Sequence, residues 1–133
     1  TTLTVPSATA GLLAVGAYNH NTGGIYIRSG RGYTRLQEVK PDLAAPGVDI
    51  YGPGISGRYT RRTGTCPAAA DAAGAAPCLL EWGIVRGGTV LMNNSAIRTL
   101  LIQGAGRNPN LSYPNKEWGY GTLDLYGAFA SLR

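Results

Sequence analysis

Thr63-Gly64-Thr65-Cys66-Pro67-Ala68-Ala69-Ala70-Asp71 is the stretch that decides how this chain folds. From Ala68 to Ala76 it is nearly all alanine, with Asp71 and Gly74 as the exceptions. Alanine has the highest helix propensity, and its small side chain lets a helix lie close against a sheet. Pro67 suits a first helical turn, where its missing N–H is not required. The segment therefore predicts a helix with Cys66 at its N-terminus. Pro77 removes a backbone bond and clashes one turn back, at a cost of about 3 kcal/mol. The sequence accordingly predicts a kink or stop there, with residues 78–82 as a second piece.

A thiol at a helix N-terminus sits at the positive end of the dipole, beside N–H groups free to hold an oxyanion. That setting favours the thiolate, so one reading of Cys66 is a nucleophile. The other is a buried, inert cysteine. The second cysteine, Cys78, lies twelve residues on. If one helix joins the two, its rise of about 1.5 Å per residue separates them by roughly 18 Å. A disulfide needs Cα atoms within about 7 Å, so no internal bridge is expected. With one histidine, His20, and no CxxC spacing, no metal site is expected either.

Outward from this segment the chain alternates short apolar runs with turn chemistry. Residues 12–17 (LLAVGA) read as a strand buried on both faces, and Ile25-Tyr26-Ile27 as a second, short one. Leu43-Ala44-Ala45-Pro46-Gly47 reads as a turn before a minimal strand at Val48-Asp49-Ile50. Downstream, Asn93 or Asn94 can cap a helix that carries Ile97, Leu100 and Leu101 and ends at Gly104. Thr122 can cap a last helix whose Leu125, Ala128, Phe129 and Leu132 share a face. Strands first, helices later and no hairpin signal favour an α/β arrangement.

The 133 residues are 44% hydrophobic and 14% charged, the pattern of globular material rather than a disordered tail. The net charge is +5, with Arg28, Arg31, Arg35, Arg58, Arg61 and Arg62 spread over loop-like segments. Tyr26, Tyr33 and Tyr59 lie among them, but no recognition motif accompanies them, so nucleic acid is not the expected partner. A basic surface balanced by the rest of a larger protein is the simpler expectation. No run of eighteen apolar residues is present, and no membrane partner is expected.

Four blocks in order resemble the subtilase family of subtilisin-like serine peptidases. Lys40-Pro41-Asp42-Leu43-Ala44-Ala45-Pro46-Gly47-Val48 is similar to the family's KPD-APG-V turn, and Thr63 to Ala70 to its GTS-x-A-x-P-H nucleophile motif. Gly119-Tyr120-Gly121-Thr122-Leu123-Asp124 with Ala128 resembles the closing GxGxL(N/D) segment, and Leu13-Ala14-Val15-Gly16-Ala17 the VIAVGA strand. The wording from Glu117 to Phe129 is similar to the Csp germination proteases of spore formers and related bacterial subtilases.

The resemblance implies part of a parallel sheet with flanking helices, and residues 1–133 as the C-terminal portion of a catalytic domain. It places Cys66 at the serine nucleophile position, and Thr63, Gly64, Thr65 and Ile27 on the substrate cleft, Ile27 near the S1′ wall. The departures cluster: Cys66 stands for serine, Ala70 for proline and Asp71 for histidine. The family's catalytic aspartate and histidine and its oxyanion asparagine are expected upstream, so the chain alone is expected to be inactive. His20 falls in a turn where the family has no catalytic group, and Asp42, Asp49 and Asp124 read as turn or capping carboxylates. The implied partners are the upstream part of the domain and a peptide or protein substrate, in a secreted or spore-associated setting, without a cofactor. Two alternatives remain: a pseudoprotease or regulatory binding module, and a cysteine-substituted subtilase acting as a peptide ligase.

Overall fold

Four residues of parallel ladder organise the chain. The computed structural model describes residues 1–87 and 92–132. In it β1 (Val15–Tyr18) pairs in parallel with β2 (Leu43–Pro46), Val15 opposite Leu43 and Tyr18 opposite Pro46. The closing segment extends this pair: Ala44 donates to the Gly121 carbonyl, and the Leu123 N–H donates to that of Ala44. Thr122 thus bridges Ala44 on one side and Gly106 on the other.

One face of β2 carries Leu43 and Ala45, because side chains two apart share a face. Against it lies α1 (Thr65–Leu80), which buries Ala68, Ala72, Ala75 and Leu79. Ala17, Ala45 and Ala68 form one closely packed cluster. Leu43, Ala75 and Leu79 meet Leu101 of α2 (Asn94–Gln103) and Ala128 of α3 (Leu125–Ala130) in a second. Alanine at these positions allows close helix–sheet approach, so one added methylene is felt at once. The expected parallel sheet with flanking helices is the architecture found.

Several local expectations are corrected. The strand begins at Val15 rather than residue 12, and Leu12 is 42% exposed. Lys40 Nζ donates to the Leu12 carbonyl, the Asp42 carboxylate accepts the Ala14 N–H, and the Asp42 N–H donates to the Ala14 carbonyl, so side chains share with the backbone in holding residues 12–14. Ile25-Tyr26-Ile27 is not a strand; Ile25 alone bridges Tyr18. Ser29 Oγ accepts the Ala17 N–H at 2.9 Å and so occupies the edge on which a ladder would grow.

Leu43-Ala44-Ala45-Pro46 is β2 rather than a turn, and a hairpin follows it. There β3 (Ile50–Pro53) pairs antiparallel with β4 (Tyr59–Arg62). Its turn needs positive φ at Ser56 (59°) and Gly57 (70°), a requirement the glycine meets without strain. Thr122 does not cap α3; Asp124 does, its carboxylate accepting the Gly127 N–H at 2.8 Å. Asn93 caps α2 as expected, accepting from Ala96.

Pro77 does not stop α1, which continues to Leu80 and passes into a π-helical turn at Glu81–Val85. Pro77 and Ala73, whose carbonyl loses its helical donor, are both exposed, so the break lies on the solvent side of the helix. Among the described residues no helix is long and apolar enough to cross a membrane.

Asp42 is no turn carboxylate. It is fully buried, and Lys40 beside it is 2% exposed. Lys40 Nζ lies 2.6 Å from Oδ2, which also accepts the Ala14 N–H at 2.7 Å, while Arg98 Nε donates to Oδ1 at 2.9 Å. Removing one member of a buried ion pair leaves the other charged and uncompensated, at about 3–5 kcal/mol. Asp42→Ala is therefore expected to destabilise the chain by that amount in urea unfolding, far more than Asp49→Ala at the exposed pair with Arg61.

Candidate functional site

The turn into α1 is positioned by main chain. Gly64, its N-cap, has φ 151° and ψ −177°, in the region of positive φ that favours glycine. Its N–H donates to the Gly47 carbonyl at 2.7 Å. Gly47 has no room for a side chain: a Cβ there would lie 2.5 Å from the Gly64 oxygen and 2.6 Å from the Ala17 Cβ. The loop after β2 and the turn into α1 thus press together over β1. One residue earlier, Thr63 Oγ1 accepts the Asp49 N–H at 2.9 Å and ties the turn to the base of the hairpin.

No side chain caps α1, so the first-turn N–H groups remain available to an incoming acceptor. Cys66 is exposed and unbridged, as is Cys78. The reading of Cys66 as a buried cysteine is therefore corrected: the side chain is exposed at the start of α1. Thr65 is half-buried and borders two cavities. One, of about 250 Å³, is also lined by Ala14, Gly16, Arg28 and Gly30. The other, of about 310 Å³, is shared with Cys66, Ala69 and Leu12.

Thr63, Gly64, Thr65 and Cys66 form one continuous ledge. Ile27, 79% exposed, stands on the neighbouring loop whose Arg28 and Gly30 line the Thr65 cavity. His20 lies on an exposed turn after β1, away from this ledge, and it does interact electrostatically with Asp71 on α1. Desolvation raises the Asp71 carboxyl above its ordinary value of 3.8, and the charge of His20 pulls it back down. Burial raises the Tyr18 phenol, and the Asp71 carboxylate adds to that effect.

Two features escaped the sequence reading. The buried Lys40–Asp42–Arg98 group was hidden because Arg98 is 56 residues from Asp42. The hairpin with its stacked Tyr51 and Tyr59 was hidden because neither strand alternates apolar and polar residues, although the glycines at 54 and 57 were a signal for its turn. Among the described residues no group of three or more metal-ligating side chains comes together.

These features define an α/β domain segment with an exposed thiol at the N-terminus of a helix that packs on a parallel strand pair. The subtilase family model matches residues 1–121, and the chain belongs to the subtilase family. Over 101 residues it is 34% identical to the membrane-bound transcription factor site-1 proteases of Mus musculus and Rattus norvegicus, covering 76% of this chain and 9% of each relative. It superposes on the CspB protease of Clostridium perfringens with a TM-score of 0.92 and 34% identity, over 98% of this chain and 29% of that one. A PatG macrocyclase in complex with peptide matches at TM-score 0.74 and 28% identity, over 96% of this chain and 38% of that one. The chain thus spans less than half the length of each of these proteins.

Two outcomes follow from the geometry. Gly47→Ala is expected to lower stability by about 1–3 kcal/mol, the usual cost of overpacking, and to slow alkylation of Cys66 by iodoacetamide through displacement of the Gly64 turn. For Asp71 the folded value lies above the unfolded one, so its contribution is full below about pH 4 and lost as pH rises through the folded value. Asp71→Asn is therefore expected to raise Tm at pH 7 and leave it nearly unchanged at pH 3. The side chain is exposed, so the gain stays below about 1 kcal/mol; equal gains at both pH values would contradict this account.

Proposed function

We infer that this chain carries the nucleophile side of a subtilisin-like peptidase domain, with Cys66 at the nucleophile position and Thr63, Gly64, Thr65 and Ile27 along the cleft. The observation that carries the reading is the Gly64 turn, clamped on Gly47, which leaves an exposed thiol at the uncapped start of α1. The aspartate, histidine and oxyanion asparagine come from subtilase sequence outside these 133 residues, and without them the chain is inactive.

In the assembled site the Cys66 thiolate adds to a peptide carbonyl carbon, and the N–H groups of the first helical turn receive the developing oxyanion. Collapse breaks the C–N bond. The amine leaves with a proton from the supplied histidine, and a thioester remains on Cys66. Water then cleaves the thioester to a carboxylate and restores the thiol.

Sulfur at this position also favours a second outcome for the same intermediate. A thioester reacts more readily with an amine than an oxygen ester does, so an amine in place of water gives peptide ligation. The likeness to a peptide-bound macrocyclase supports the same reading.

The test combines the chain with a subtilase segment bearing the aspartate, histidine and asparagine, adds a peptide ester, and reads the mass of Cys66. An acyl group on Cys66 that is lost in Cys66→Ala is the expected result, and adding an amine diverts product from acid to amide. In Cys66→Ser hydrolysis gains over ligation. A stable complex with peptide but no acyl group overturns the catalytic reading in favour of a pseudoprotease that only binds.

A further inference from the structure

A further cavity, of about 300 Å³, lies between the turn after β1 and the loop that joins α2 to the closing segment. It shares no lining residue with the two cavities beside Thr65. Tyr18, Leu111, Tyr113 and Trp118 supply its apolar walls, and Arg107 and Asn108 stand among them.

The loop that forms one side is shaped by its own hydrogen bonds. The Leu111 N–H donates to the Asn108 carbonyl, Asn108 Oδ1 accepts the Asn110 N–H, and Asn115 Oδ1 accepts the Glu117 and Trp118 N–H groups. Trp118 in turn packs on Tyr18 of β1, with ring centroids 5.6 Å apart. The two planes meet at 43°, a tilt at which neither ring covers the other's face. An aromatic wall already in place gives up little entropy to a ligand, and planar or apolar groups are what it holds.

The polar groups in this cavity are unused donors. Arg107 Nε donates to the Tyr120 carbonyl at 2.9 Å and Nη2 to that of Ile102 at 3.1 Å, which fixes the guanidinium. Among the described residues its Nη1 has no acceptor, and Arg107 enters no ion pair. The Tyr113 hydroxyl accepts the Asn108 N–H at 3.3 Å and keeps its own proton to donate. Among the described residues no aspartate or glutamate lines the cavity. Fixed donors, one of them cationic, with no carboxylate of their own, favour an anionic acceptor.

We propose that this cavity binds an aromatic group that carries a carboxylate, with the carboxylate on Arg107 and the Tyr113 hydroxyl and the ring against Tyr18 and Trp118. At about 300 Å³ the space is at the small end for ligand pockets, so it takes one residue-sized group rather than a length of chain. Two sources share that chemistry: a free aromatic acid and the C-terminal residue of a peptide. On the peptidase reading each cleavage creates such a terminus, but the site draws on nothing at Cys66 and stands or falls by itself.

The test follows the Trp118 indole N–H resonance of the isotope-labelled 133-residue chain during titration with N-acetylphenylalanine, with Trp82→Phe used to assign the two indoles. A saturable shift is expected, at least about tenfold weaker with N-acetylphenylalanine amide, which lacks the charge. A similar loss is expected in Arg107→Met and a severalfold loss in Leu111→Ala, with Tm confirming that each variant is folded. Arg107 also holds two carbonyls, so the comparison of acid with amide on the unaltered chain decides the question if that variant unfolds. Arg28→Ala, beside the Thr65 cavity, is expected to leave the titration unchanged. A tetrapeptide ending in phenylalanine that binds more tightly than N-acetylphenylalanine assigns the site to peptide termini; no tighter binding assigns it to free aromatic acids. Equal binding of acid and amide, a Trp118 resonance that does not move, or a titration lost in Arg28→Ala overturns the proposal.

Discussion

A carboxylate withdrawn from water holds this chain together. Asp42 receives Lys40, the Ala14 N–H and Arg98, which are contributed by the segment before β2, the approach to β1 and α2. Its own carbonyl accepts the Tyr120 N–H from the closing segment. Three stretches that are distant in sequence therefore converge on one residue, beside its near neighbour Lys40. A buried charge is tolerated only where partners replace its hydration, and here every partner also fixes a segment in place. Gly119 follows from the same crowding: a Cβ there would lie 2.4 Å from the Asp42 carbonyl oxygen, and φ is 58°.

Around this group the packing is done by small side chains. Ala17, Ala45 and Ala68 let α1 settle on β1 and β2, and Gly47 lets the loop after β2 reach the turn before α1. The fully buried large apolar residues Leu43, Leu79 and Leu101 meet at the far end, while only partly buried Val15, Tyr26 and Leu123 pack on the alanine cluster. The end that carries the ledge is thus held by close backbone approach, and the other end by apolar volume. Close approach leaves little freedom for adjustment, which suits a turn that must hold a thiol in one place.

Much of this was legible in the residues. The alanine run gave α1, Asn93 gave the cap of α2, and the motif blocks gave the family and the parallel arrangement. What failed did so for physical reasons. Pro77 was expected to kink or stop α1, but it and Ala73, one turn back, are exposed, and the helix runs on to Leu80. Thr122 was expected to cap α3, but its hydroxyl donates to the Gly106 carbonyl, and the cap passes to Asp124. The hairpin was missed because its strands, IYGP and YTRR, do not alternate apolar and polar residues. The role of Asp42 was missed because a pairing with Arg98 is visible only after the chain has folded. At the ledge, order along the chain showed that Thr63 to Cys66 belong together, whereas the exposure of Cys66 and the contact of Gly64 with Gly47 are visible only in the folded chain.

That contact bears on how the family changes over time. The Gly64 turn is placed by two glycines, one backbone hydrogen bond and a helix axis, none of which involves the side chain at position 66. Location and reactivity are therefore inherited separately here. On the proposed peptidase reading, exchanging sulfur for oxygen at that residue changes the leaving-group chemistry, while the backbone that places the atom stays the same. The side chain at this position can therefore be exchanged without disturbing the small-residue packing that sets where it stands.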